Sequence, residues 1–198
     1  MEGSILSILQ TERVILNYIQ HLSGIATRTF EYAEKIKMYK AKVTDTRKTT
    51  PGFRLLQKMA VKAGGGENHR MGLYDMILIK DNHIDYAGGI TNALNKTKEY
   101  LKFIEKPLKI EIEARNLDEI KEILDWGKVD RILIDNFSHE VIHEAVSLIN
   151  GRAETEVSGG ITLANIVKYA QDGVDYISVG ALTHQINSLD MSLKAVKI

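Results

Sequence analysis

Apolar residues along this chain follow two rhythms. Near the start, Val14, Ile15, Tyr18, Ile19 and Leu22 recur at three- and four-residue intervals and predict one face of a helix. A second helix is expected over residues 27–39, and residues 42–45 read as short and extended. Residues 54–63 predict a helix stopped by Gly64, Gly65 and Gly66, because glycine readily takes the left-handed conformation that ends helices. From Met76 onward, short runs rich in Ile, Leu and Val alternate with amphipathic stretches. Strands are expected at 76–80, 109–114, 131–135, 153–157 and 176–179. Helices are expected at 90–103, 117–124, 139–149 and 163–171, with a final helical segment after the last strand.

This alternation implies βα units around a parallel sheet. Residues 127–135 faintly repeat at 173–180, each a helix exit, a small polar turn and a strand. Polar or glycine residues stand just beyond each strand: Lys80 to His83, Glu113, Asp135 with Asn136, Ser158 to Gly160, and Gly180 with Ala181. An open sheet binds ligands at a switch point and uses fewer strand ends. Chemistry-capable residues at five or six successive strand ends favour a (β/α) barrel, whose C-terminal strand ends carry the site. No Pro- or Ser-rich linker divides residues 1–198, so a single domain is expected. No apolar run approaches the roughly 18–20 residues of a membrane span. The first residues lack the pattern of a signal peptide.

Composition narrows the class. Of 198 residues, 44% are hydrophobic and 26% charged, which is ordinary globular composition. The absence of cysteine excludes disulfides, iron–sulfur ligation and thiolate zinc sites, and it fits a reducing, cytoplasmic home. Twenty-six basic residues balance 26 acidic ones, which argues against wholesale binding of nucleic acid or a membrane surface. The balance is uneven along the chain. Between Lys35 and Lys62 nine bases meet one acid, Asp45, whereas between Glu99 and Glu144 twelve acids meet seven bases. Solvated helix faces would produce this, and so would a cationic anion site faced by carboxylates.

The densest candidate runs from Asp45 to Gly52, where Arg47 and Lys48 sit beside Thr46, Thr49 and Thr50. Guanidinium plus ammonium suits a carboxylate- or phosphate-rich ligand, although a solvated loop tolerates the same residues. His69, Arg70 and Lys80 extend this set, and a lysine ending an apolar strand points into a cavity more cheaply than into a core. Glu113 and Asp135 end consecutive strands and suit Mg²⁺ binding, sugar hydroxyls or acid–base work, or simply helix capping. The turns Ser158-Gly159-Gly160 and Val179-Gly180-Ala181 can aim backbone N–H groups at a phosphate. His139 to His143 matches the H-E-x-x-H zinc pattern, but no Glu follows Glu156 to act as a distant third ligand, so zinc hydrolysis is set aside. Asn95 to Thr97 matches a glycosylation pattern, of little meaning without a secretory signal.

Together these motifs resemble the quinolinate phosphoribosyltransferase family. The resemblance runs through residues 11–27, 45–52, 64–70, 78–83, 134–136, 157–161 and 173–184, in order and with compatible spacing. It implies a type II phosphoribosyltransferase barrel, incomplete or irregular relative to eight strands. Residues 1–198 would be that barrel domain with its N-terminal helices, and the family's separate N-terminal sandwich domain is expected to be absent. It also implies a reaction, in which quinolinate and phosphoribosyl pyrophosphate, with Mg²⁺, give nicotinate mononucleotide, pyrophosphate and CO₂ in NAD biosynthesis. By resemblance, Arg47, His69, Arg70 and Lys80 surround the quinolinate carboxylates, joined by Arg13 from the neighbouring subunit of a homodimer or larger homo-oligomer. Thr46 belongs to the same loop. Lys48 sits toward pyrophosphate and ribose, and Lys80 lies between the ligands. Glu113 and Asp135 meet ribose hydroxyls and Mg²⁺, directly or indirectly. The backbones of Ser158, Gly159, Gly160, Val179, Gly180 and Ala181 hold the 5′-phosphate. Lys48, Lys80, Glu113 and Asp135 are thereby the expected catalytic set. Two rivals are a related pyrophosphorylase-like protein associated with molybdenum transport and an inactive barrel that binds phosphate ligands.

Overall fold

A computed structural model describes residues 3–196; the outermost residues of the expected domain, 1–2 and 197–198, lie outside it. A long helix α1 (Ile5–Ile36) leads to strand β1 (Lys42–Thr44) and helix α2 (Arg54–Ala63). Then come β2 (Ile77–Ile79), α3 (Asp81–Ala87), α4 (Ile90–Ile104), β3 (Ile110–Ala114) and α5 (Leu117–Trp126). The chain continues through β4 (Arg131–Asp135), α6 (His139–Ile149), β5 (Glu154–Ser158), α7 (Ile166–Gln171), β6 (Tyr176–Ser178) and α8 (Ala181–His184).

All six strands are parallel, in the order β1-β6-β5-β4-β3-β2. Strands consecutive in the chain are therefore neighbours from β2 to β6, and β1 returns beside β6. That is barrel order left unclosed, because no ladder joins β1 to β2. Residues 67–70 run into this seam. Glu67 exchanges backbone hydrogen bonds with β1, its N–H donating to Val43 (2.7 Å) and its carbonyl accepting from Asp45 (3.1 Å). Arg70 Nη1 donates to the Met76 carbonyl on the other side (3.2 Å).

The two-residue strand period divides the sheet into two faces. Ile112, Ile132, Ile134, Val157 and Ile177 are fully buried with Ile120, Ile123, Ile142, Ala145 and Ile166 from the surrounding helices. The alternate positions, including Glu111, Glu113, Asp135, Glu156 and Ser158, turn the other way and furnish the interior of the rolled sheet.

The structure departs from the sequence expectations in three places. First, the two expected N-terminal helices are one 32-residue helix. Gly24 does not break it. A Cβ there would lie 2.3 Å from the Asn187 carbonyl oxygen, so glycine admits the C-terminal segment against α1. That segment is tied down by hydrogen bonds from Leu189 N–H to the Gln20 carbonyl (3.1 Å) and from Gln20 Nε2 to the Met191 carbonyl (3.2 Å). The apolar face expected around Val14, Tyr18 and Ile19 exists but is exposed, and burial begins at Gly24.

Second, residues 81–83, expected only as polar residues beyond a strand, open a helix, α3, that the apolar spacing did not predict. Third, the basic segment is not one surface. Lys35 caps the Leu163 carbonyl, while Lys40 pairs with Asp175 (2.6 Å) and Lys62 with Glu67 (2.6 Å). Lys58 is buried against Asp45. Of the bases in that stretch, only Arg47 and Lys48 line the cleft described next.

Candidate active site

The C-terminal strand ends surround a cleft of about 660 Å³. Its walls include Thr46, Arg47, Lys48, His69, Arg70, Lys80, Glu113 and Asp135. Ser158, Gly159, Gly160, Val179, Gly180 and Ala181 complete the set expected from the sequence. Arg13 does not join them; it lies exposed on α1.

The loop after β1 is built largely by its own hydroxyls. Thr46 Oγ1 accepts from Lys48 N–H (3.0 Å) and Thr49 Oγ1 accepts from Arg54 Nε (3.0 Å). Thr50 Oγ1 accepts from Gln57 Nε2 (3.0 Å). Thr49 and Thr50 thus shape the loop, and only Thr46 among the three lines the cleft. Thr183 Oγ1 donates to the Lys48 carbonyl (2.7 Å), locking the loop to α8.

Across the cleft, Lys80 Nζ stands 3.7 Å from Glu113 Oε2 with half of the lysine side chain exposed. Burial raises the Glu113 carboxyl above its usual range, and Asp135 raises it further, against the pull of Lys80. Asp81 adds to the crowding of negative charge. Asp135 accepts from Ser158 Oγ and, at 2.7 Å, from Asn136 Nδ2. Gly159, at φ +101°, is required here because a Cβ would fall 2.1 Å from Asn136 Oδ1.

Beneath the cleft lies a set of charges that strand-end reasoning missed. His69 Nε2 is 3.0 Å from Glu111 Oε2 and 3.4 Å from Glu156 Oε1, and all three side chains are buried. Arg131 Nη1 donates to Glu156 Oε2 (2.6 Å). Burial opposes charge on His69, but the two carboxylates outweigh it and raise the ring to about 9. Arg70 N–H points at His69 Nδ1 (2.8 Å) and resists a proton there, so it favours the Nε2–H form. Burial first and Glu156 second raise Glu111 as well. The cluster therefore shares one proton that an ordinary His and Glu would have released above neutrality. The three ligand atoms lie within 4.8 Å of one another, close enough for a metal ion. With Nδ1 accepting a hydrogen bond, however, Nε2 carries the ring hydrogen and has no lone pair for a cation. The available signal was the alternation in residues 110–113 and 154–158, which sets Glu111 and Glu156 on the face of Glu113 and Ser158. Asp81, Asn136, Thr162, His184 and Gln185 also line the cleft.

Comparison with known proteins gives a consistent result. The family model described as quinolinate phosphoribosyl transferase, C-terminal domain, matches residues 25–194. The chain is 46% identical to quinolinate phosphoribosyltransferase [decarboxylating] 1 of Nicotiana glauca, covering 98% of this chain and 59% of that protein. It is 44% identical to the probable nicotinate-nucleotide pyrophosphorylase [carboxylating] of Bacillus subtilis, covering 98% and 65%. The solved nicotinate-nucleotide pyrophosphorylase of Francisella tularensis superposes with a TM-score of 0.90 at 50% identity, covering 96% of this chain and 66% of that one. The chain thus spans about six-tenths of the length of the curated relatives it matches.

Proposed function

The chain belongs to the quinolinate phosphoribosyl transferase C-terminal domain family, and from that premise we propose that it carries the active site that transfers phosphoribosyl from phosphoribosyl pyrophosphate to quinolinate with loss of CO₂. One observation carries the reading: Arg47, Lys48, His69, Arg70 and Lys80 meet Glu113, Asp135 and two glycine turns around a single cleft. Quinolinate is a dianion, so a wall of fixed guanidinium and ammonium groups is the complementary surface. Burial and the neighbouring Arg47 lower Arg70 from its usual value, a repulsion that an anion between them relieves. Loss of CO₂ leaves an electron pair on a pyridine carbon, and the same cations stabilise it. Among the described residues no cleft side chain stands out as an activated nucleophile, so rate enhancement rests on positioning and electrostatics.

The crowding of Asp81, Glu113 and Asp135 fits a hard cation held by oxygen donors. Glu113 and Asp135 are the residues that would hold Mg²⁺, with Asp135 acting through its hydroxyl and amide neighbours. Mg²⁺ supplies charge neutralisation for the departing pyrophosphate. Lys48, whose side chain lies against Gly180, is placed to bind the phosphorylated ligand. The expected homodimer draws support from α1, whose exposed apolar residues Val14, Tyr18 and Ile19 accompany the exposed Arg13. Arg13 is thereby available to the cleft of a second copy. A cytoplasmic location completes the reading, supported by the lack of cysteine.

The test is CO₂ release from carboxyl-labelled quinolinate, together with calorimetry for each ligand. Release that requires both phosphoribosyl pyrophosphate and Mg²⁺ is expected. Binding of phosphoribosyl pyrophosphate with no binding of quinolinate would overturn the acceptor assignment.

A further inference from the structure

Arg54 opens α2 and does not line the cleft, yet its guanidinium reaches both loops that carry cleft cations. Its Nη2 donates to the Arg47 carbonyl (3.3 Å) and its Nη1 to the Met71 carbonyl (3.1 Å). With Nε donating to Thr49 Oγ1, one planar group spans residues 47–49 and residue 71, the neighbour of Arg70. The turn at Met71 is closed by Asp75, whose carboxylate accepts from Met71 N–H (2.7 Å) and Gly72 N–H (2.9 Å). Arg47 and Lys48 are exposed, so the loop backbone, not packing, sets where their side chains begin. Arg47 also disfavours the charge on Arg70, a repulsion that pushes the two loops apart when no anion lies between them.

We propose that Arg54 is a positioning residue that fixes the spacing of Arg47 and Arg70, and so pre-forms the dicarboxylate subsite, while Thr183 separately fixes Lys48 for the phosphorylated ligand. This role rests on the ligand assignments made above. A guanidinium presents its N–H groups in a rigid fork, so it can hold three acceptors at once in one geometry. An ammonium is a single point of charge on a flexible stem and cannot reproduce that fork. The anchor of Lys48 belongs to another element. Thr183 is buried on α8, beside the Gly180 turn, and its hydroxyl donates to the Lys48 carbonyl (2.7 Å). Adjacent residues 47 and 48 are therefore held from opposite sides, one by α2 and one by α8. Loss of either anchor leaves its end of the loop to be ordered when the ligand binds, which lowers affinity for that ligand.

Calorimetry of the whole chain with quinolinate and, in a second titration, with phosphoribosyl pyrophosphate tests this. Arg54→Lys keeps the charge and loses the fork. It should weaken quinolinate binding by at least about tenfold and phosphoribosyl pyrophosphate binding by less than about twofold. Thr183→Val should show the opposite split. Thr49→Val removes one of the three acceptors, leaves α2 intact, and should shift quinolinate alone. In turnover, Arg54→Lys should raise KM for quinolinate with kcat nearly kept. Wild-type quinolinate affinity in Arg54→Lys would overturn the clamp, since charge alone would then suffice. Equal losses for both ligands would also overturn it, as the mark of a generally loosened loop. A wild-type chain that binds phosphoribosyl pyrophosphate but not quinolinate would instead remove the acceptor assignment, and the clamp with it.

Discussion

Lys58 and Asp45 form an ion pair that is closed off from solvent, at 1% and 0% exposure, directly behind the cation loop. Neither partner is free for a ligand. Lys58 Nζ also donates to the His69 carbonyl (2.8 Å), and Asp45 Oδ1 accepts from His69 N–H (2.8 Å). The pair thus fastens residue 69 into the seam between β1 and β2. Burial raises the Asp45 carboxyl, with Lys58 opposing, so the carboxylate depends on its partner. Lys58→Met should cost about 3–5 kcal/mol by stranding Asp45. The double variant with Asp45→Asn should recover part of that loss in urea unfolding. If the double variant is no more stable than Lys58→Met alone, the pair is not the linkage described.

Glu111 and His69 predict a pH dependence. Both groups are shifted upward, so the folded protein keeps a proton that the unfolded chain releases. The His69 part of this stabilisation is complete below about pH 6.5 and is lost as pH rises toward about 9, on the order of 3 kcal/mol, whereas the Glu111 part begins to be lost above about pH 4.5. Thermal melts across that range should show falling stability for the wild type. Glu111→Gln removes one of the charges that hold the proton and should flatten the slope. A slope identical to that of wild type would show that the proton resides elsewhere.

What the sequence revealed and what it concealed follow from the range of the interactions involved. Helices α2 and α6 and strand β4 have the bounds expected from their apolar spacing, because stop signals and period are local. The strand-end residues were legible for a similar reason, since each follows an apolar run directly. Glu111, Arg131 and Glu156 were not, because a charged residue in an alternating strand also describes a solvent-facing side. Only rolling the sheet makes that side an interior. Lys58 counted among the cations of a basic segment, and its inward turn depends on Asp45 across a loop. The reason for Gly24 could not be read locally, because its partner Asn187 lies at the far end of the chain.

That contact gives a prediction whose sign is informative. In an ordinary helix position Gly→Ala stabilises by up to about 1 kcal/mol. At Gly24 the new methyl group would meet the Asn187 carbonyl at 2.3 Å. Gly24→Ala should instead destabilise by about 1–3 kcal/mol and make residues 187–196 more readily cleaved by protease. Increased stability in a thermal melt would show that the C-terminal segment does not pack on α1.

Arg47 and Lys48 are adjacent in sequence but predicted to serve different ligands. Arg47 faces Arg70, whose own charge it disfavours, so the two form a subsite for a dicarboxylate. Lys48 runs the other way, its Cδ 3.3 Å from where a Cβ on Gly180 would stand, beside the turn assigned to phosphate. Arg47→Ala should therefore weaken quinolinate binding by about 2–3 kcal/mol, a factor of roughly 30–100, and leave phosphoribosyl pyrophosphate binding nearly intact. Lys48→Ala should do the reverse. Calorimetry of both variants with both ligands separates specific loss from collapse of the loop, because collapse weakens all four combinations together. Equal losses for the two ligands in Arg47→Ala would remove the basis for assigning that guanidinium to the acceptor.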